Sequence, residues 1–142
     1  MHLDFSILLG QIEAKLSGEI TKEPKELYAP ITYFYGIGGK RFRPLLFLLG
    51  NSTVAIPTEE AVDAALLVEK FHNFTLLHDD IMDNAPLRRG KTTVHEKWNT
   101  NIALLAGDVM MVHAYDCLLK FPSAVLKPVL QKFNQTAVEV CE

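Results

Sequence analysis

The stretch from Thr58 to Asp83 constrains this chain more than any other, because it joins a long apolar helix to a knot of carboxylates. Thr58, after Pro57, is suited to N-cap a helix, and Glu59 and Glu60 stand where the helix dipole favours negative charge. The helix is predicted to run to about Met82. Its residues Ala64-Ala65-Leu66-Leu67-Val68, followed by Phe71, Phe74, Leu76 and Leu77, are apolar over more than one face, which implies burial on several sides. Such a helix needs neighbours all round, supplied by this chain, by further sequence or by a partner.

The helix ends in Leu76-Leu77-His78-Asp79-Asp80-Ile81-Met82-Asp83. Asp79 and Asp83 are four residues apart, so they sit ~40° apart on one face with Asp80 beside them. Like charges at this spacing cost roughly 0.2–0.5 kcal/mol per pair, and a helix C-terminus disfavours anions as well. Carboxylates next to a buried helix need a compensating cation. A few of them, with water and phosphate oxygens in the other positions, suit magnesium, so a magnesium-diphosphate site is expected. A solvated acidic helix end is the alternative. His72 lies seven residues before Asp79 on nearly the same face. It either faces the same cavity or is a hydrogen-bonded core histidine.

The rest of the chain also reads as helical. Leu3, Ile7, Leu8, Ile12, Leu16 and Ile20 repeat at near-helical spacing, and a second helix is predicted from Pro24 to Tyr35, kinked or divided at Pro30. Leu45-Leu46-Phe47-Leu48-Leu49 is expected to be a buried helix. A loop over 83–93, a short helix over 94–98, a strong helix over 101–121 and a last one from Ser123 complete an all-α chain with no strand pattern. A content of 49% hydrophobic and 22% charged residues excludes disorder, and residues 1–142 are expected to form a single helical domain. Cys117 and Cys141 lack ligand spacing, there is no basic-apolar leader, and no apolar run approaches ~18 residues. The expectation is a cytoplasmic protein with reduced thiols and no membrane span.

Against a net charge of -3, basic residues cluster twice. In Gly38-Gly39-Lys40-Arg41-Phe42-Arg43-Pro44 the glycines permit close backbone approach, and Lys40 and Arg43 could hold an anion. It is not a Walker A loop, since Phe34 stands where the first glycine is needed and Arg41 follows the lysine. The second cluster is Arg88-Arg89-Gly90-Lys91. An acidic metal site with two basic loops suggests two diphosphates, one held through metal and one held directly. Nucleic acid is not expected as a partner, because the carboxylates oppose phosphate without metal.

GGKRFRP, HNFTLLHDDIMD, RRGKTTVH and LLAGD, in that order, resemble the successive motifs of the trans-isoprenyl diphosphate synthases, or polyprenyl synthetases, over about residues 27–119. The resemblance implies the helical bundle of the isoprenoid synthase type, with this chain as an N-terminal and incomplete portion. It implies Mg2+ as cofactor, isopentenyl and allylic diphosphates as substrates, and a homodimer. By position, Gly39, Lys40, Arg43, His72 and Arg89 resemble isopentenyl diphosphate ligands, Arg88 resembles an allylic diphosphate ligand, and Asp79 and Asp83, supported by Asp80, resemble the metal ligands. Asp79, Asp83 and Arg88 would carry the catalysis, while Phe74 and Thr75 stand where the family limits chain length, implying a C15 to C20 product. Asp108 matches a family Gly-Asp step or is a structural carboxylate, and Asn99 departs from a frequent glycine. The family's second aspartate-rich motif is not in these 142 residues, leaving open a truncated or regulatory subunit that binds diphosphate or a partner bundle. Another helical terpenoid synthase is the remaining alternative, opposed by the two basic loops.

Overall fold

The computed structural model describes residues 5–18, 22–54 and 59–142. In chain order these form α1 (Phe5–Ser17), α2 (Lys25–Gly36), α3 (Phe42–Ser52), α4 (Glu59–Met82), β1 (Leu87–Arg88), β2 (Lys91–Thr92), α5 (Val94–Lys97), α6 (Thr100–Leu118) and α7 (Ser123–Cys141). The expected all-α architecture holds, with one two-residue antiparallel ribbon inside the stretch predicted to be a loop. That ribbon pairs Leu87 with Thr92 and Arg88 with Lys91, and its loop residues Arg89 and Gly90 have φ of 52° and 74°. This is the positive-φ geometry of a tight hairpin, too short to leave an alternating pattern in the sequence.

Helix α4, 24 residues and ~36 Å long, is the axis of the fold. Its run Ala61 to Leu67 is buried at every position, as its all-round apolar character predicts. Beyond Val68 burial becomes one-sided, and Asn73, Leu77 and Asp80 recur at helical spacing. Its largest contact is with α6, which turns Ala103, Ala106, Gly107, Met110, Ala114 and Cys117 inward. Small side chains at that spacing let the two helices approach closely. Asn99 caps α6, its Oδ1 accepting from the Ile102 amide at 2.9 Å. The residue that departs from the family's glycine is thus a helix N-cap.

Helix α1 inserts Ile12 and Leu16, both fully buried. Leu3, Ile20 and the expected cap Thr58 lie outside the described residues. Pro30 does not divide α2, which continues through it to Gly36. A proline there removes one bond, to the carbonyl of Glu26, an exposed first-turn residue that water can serve. Helix α3 corrects a second expectation. It is a helix but not a buried one, since only Pro44 and Leu48 are covered and Leu46, Phe47 and Leu49 are exposed. Helix α7 has no fully buried residue and leans on the core through half-buried Leu126, Val129, Leu130 and Phe133.

Candidate active site

The chain enters α3 through Arg41, whose φ of 48° puts it in the left-handed region. Around this turn the basic residues part: Lys40 and Arg43 are exposed, while Arg41 is buried. Arg41 donates from Nε to Glu13 Oε1 at 2.6 Å and from Nη1 to Glu69 Oε1 at 2.9 Å, tying the turn to α1 and α4. Burial alone would lower its pKa, but hydrogen bonds and charge from Glu13, then Glu69, outweigh this and raise it.

Facing the turn is a basin of about 500 Å³ lined by Gly39, Lys40, Arg41, Phe42, Arg43, Glu69, His72 and Arg89. Five of the six residues expected to bind diphosphate therefore converge from the Gly-Gly turn, α4 and the ribbon. Gly39 makes room for it, because a Cβ there would come within 2.7 Å of Arg89 Nη1 and displace that guanidinium. Arg88 faces elsewhere: Nε donates to Asp80 Oδ2 at 2.8 Å and Nη2 to the Leu76 carbonyl at 3.3 Å.

His72 Nε2 lies 2.9 Å from Arg43 Nη1. A guanidinium can only donate, so Nε2 is the unprotonated acceptor of a neutral imidazole. Burial is the main cause holding its pKa below the ordinary 6.5, with Arg43, Arg89 and Arg88 adding to it and Glu69 opposing. The depressed value means that the unfolded chain takes up this proton first as pH falls. Stability from neutral His72 is therefore present above about pH 6.5 and lost below it. His72→Gln should flatten the pH dependence of urea-unfolding free energy between about pH 7 and pH 5; an unchanged slope would remove His72 from the linkage.

At the far end of α4, Asp80 is buried in its pair with Arg88, Asp79 is half-buried and Asp83 is exposed. Among the described residues Asp79 and Asp83 make no ion pair, and no group of three His, Cys, Asp or Glu side chains forms a metal cage. Two free carboxylates on adjacent turns nevertheless fit magnesium, which keeps water and takes the rest of its ligands from substrate phosphates. Phe74 is half-buried against Phe71 and edge-on to His78 at 4.7 Å between ring centroids. Thr75 donates to the His72 carbonyl at 2.8 Å. Asp108 is exposed, 3.9 Å from His78 Nε2. Arg41 and Glu69 were missed from sequence. The signal for Glu69 was an acid three residues before His72, beside Lys70 in the apolar middle of the helix.

A sequence profile described as polyprenyl synthetase matches residues 24–142. The chain belongs to the polyprenyl synthetase family. A polyprenyl synthetase relative, the geranylgeranyl diphosphate synthase of Methanosarcina mazei, is 42% identical over 122 residues, 84% of this chain and 37% of that protein. A crystal structure of a geranylgeranyl pyrophosphate synthase superposes with a TM-score of 0.91 at 42% identity, over 99% of this chain and 43% of that one. The geranylgeranyl pyrophosphate synthetase of the archaeon Geoglobus acetivorans gives a TM-score of 0.89 at 33% identity, over 96% and 45%. This polyprenyl synthetase chain thus spans between a third and a half of the length of these relatives. Among its described residues no helix is long and apolar enough to cross a membrane.

Proposed function

We propose that this protein extends an allylic diphosphate by the five carbons of isopentenyl diphosphate, giving a C15 to C20 prenyl diphosphate. The observation that carries the reading is the convergence of Lys40, Arg43, His72 and Arg89 on one basin, with free Asp79 and Asp83 two and three helical turns beyond His72. Two anion sites of different character, linked by one rigid helix that lines both, suit two diphosphates with different fates.

In this reading Gly39, Lys40, Arg43, His72 and Arg89 hold the isopentenyl diphosphate, which keeps its diphosphate. Arginine and lysine fix it by direct charge-assisted hydrogen bonds. Arg88 holds the allylic diphosphate, and Asp80 supports the site by orienting Arg88, whose two bonds to Asp80 and Leu76 leave other N–H donors to spare. Asp79 and Asp83 would hold magnesium, which supplies positive charge to the departing diphosphate. The allylic C–O bond breaks and releases diphosphate, the isopentenyl double bond attacks the carbocation, and the released diphosphate takes the proton whose loss closes the new alkene. The cationic side chains favour charge on the leaving group, and an apolar enclosure must keep water from the cation. Phe74 is assigned the floor that limits chain growth.

A cytoplasmic homodimer completes the reading, with a second copy covering exposed apolar residues such as Leu105 and Val112 of α6. A diphosphate-binding subunit without turnover has less support, since the similar proteins carry names of synthases. The test is incubation with radiolabelled isopentenyl diphosphate, an allylic diphosphate and magnesium, followed by chromatography of the products. The expected result is label in C15 to C20 products, shifted to longer ones by Phe74→Ala. A folded protein that incorporates no label would overturn the function, and unchanged products in the variant would overturn the floor.

A further inference from the structure

We propose that Arg41 is a positioning residue that keeps the anion basin open by neutralising Glu69, the one carboxylate in its wall. This rests on the reading of the basin as a diphosphate site. Glu69 is the only acid among the lining residues, beside His72 and in a wall shared with Arg43 and Arg89. An unpaired carboxylate there would repel a diphosphate. It would also draw the very cations that should meet the ligand.

The structure prevents both. Arg41 Nη1 and Asn73 Nδ2 donate to the same Glu69 oxygen at 2.9 and 3.0 Å, with the Arg41 and Glu69 side chains 2% and 5% exposed. The opposite edge of the guanidinium is forked onto Glu13, Nε to Oε1 at 2.6 Å and Nη2 to Oε2 at 3.3 Å, and Nη2 also reaches the Tyr35 carbonyl at 3.4 Å. Arg41 is thus held from behind by α1 and cannot swing toward a ligand. The left-handed turn at Arg41 buries it while Lys40 and Arg43 stay exposed. One basic run therefore performs two tasks: its flanking members meet the anion, and its middle member cancels the acid beneath it.

A role confined to folding and a role in charge balance differ in the sign of their mutational effects. The readout is the Kd of inorganic pyrophosphate by calorimetry, with EDTA present so that only the cationic basin is probed, and folding followed by circular dichroism. Arg41→Met should weaken binding tenfold or more, because Glu69 is left charged. Glu69→Gln should tighten it two- to fivefold, because the wall then loses a negative charge while Arg41 stays paired with Glu13. The double variant Arg41→Met/Glu69→Gln should return to within threefold of wild type. If Arg41→Met does not fold, the tightening in Glu69→Gln and the near-wild-type double variant still decide the matter. Weaker binding in Glu69→Gln, or a double variant that binds no better than Arg41→Met, overturns the inference while wild-type binding upholds the basin. Absence of pyrophosphate binding by wild type overturns the diphosphate reading and this inference together.

Discussion

Replacing Asp79 with alanine should weaken magnesium-dependent pyrophosphate binding by about 100-fold, equivalent to ~2.7 kcal/mol. It should leave magnesium-free binding in the cationic basin within about twofold, because surface charges ~10 Å apart are largely screened at ordinary salt. The size of the first effect follows from how few protein ligands the metal would have. Asp80 is committed to Arg88, so Asp79 and Asp83 are the carboxylates left at the C-terminal end of α4. Removing one of two ligands should reach the top of the tenfold to hundredfold range typical when an outer contact of a metal site is removed. Calorimetry with magnesium and with EDTA separates the modes. Equal losses in both would mean that Asp79 supports the fold instead, and no loss in either would end its assignment as a metal ligand.

Gly107→Val should destabilise the fold by about 3 kcal/mol, lowering Tm by roughly 10 °C. Gly107 is buried on α6 where that helix meets α4, and a Cβ built on it lands on the His78 imidazole. His78 is itself held there, edge-on to Phe74 and with Nε2 3.3 Å from the Leu104 carbonyl. A β-branched residue must displace the ring or push the two helices apart. The helix-propensity gain over glycine, ~0.5 kcal/mol for valine, is too small to offset this. Thermal unfolding of Gly107→Val beside Gly107→Val/His78→Ala supplies the check, since the second change empties the volume the first requires. If the double variant regains none of the lost Tm, the clash with His78 is not the cause.

The helix that organises the fold was legible because its signal is local: an apolar run wide enough to demand burial all round, ended by acids that burial would not tolerate unaided. The basic loops were legible as anion ligands for the same reason, since glycine beside lysine and arginine speaks of close approach to negative charge. What could not be read is how like residues divide their labour. Lys40, Arg41 and Arg43 form one basic run on paper, and only the left-handed turn at Arg41 sends the middle one inward. Arg88 and Arg89 are neighbours, yet the positive-φ loop that follows β1 turns Arg89 to the basin while Arg88 stays with Asp80. Helix α3 was misjudged because an apolar run reports that a surface will be covered, not whether its own chain does the covering. Pro30 leaves α2 undivided because a missing amide matters little where the unserved carbonyl faces water.

His72 and Asp79 belong to one unbroken helix, so the gap between the basin wall that α4 supplies and its acidic end is counted in peptide units and does not depend on flexible chain. Each added or deleted residue would rotate one group ~100° and shift it ~1.5 Å relative to the other. Insertion or deletion between them can therefore not retune the spacing of His72 and Asp79 by small steps.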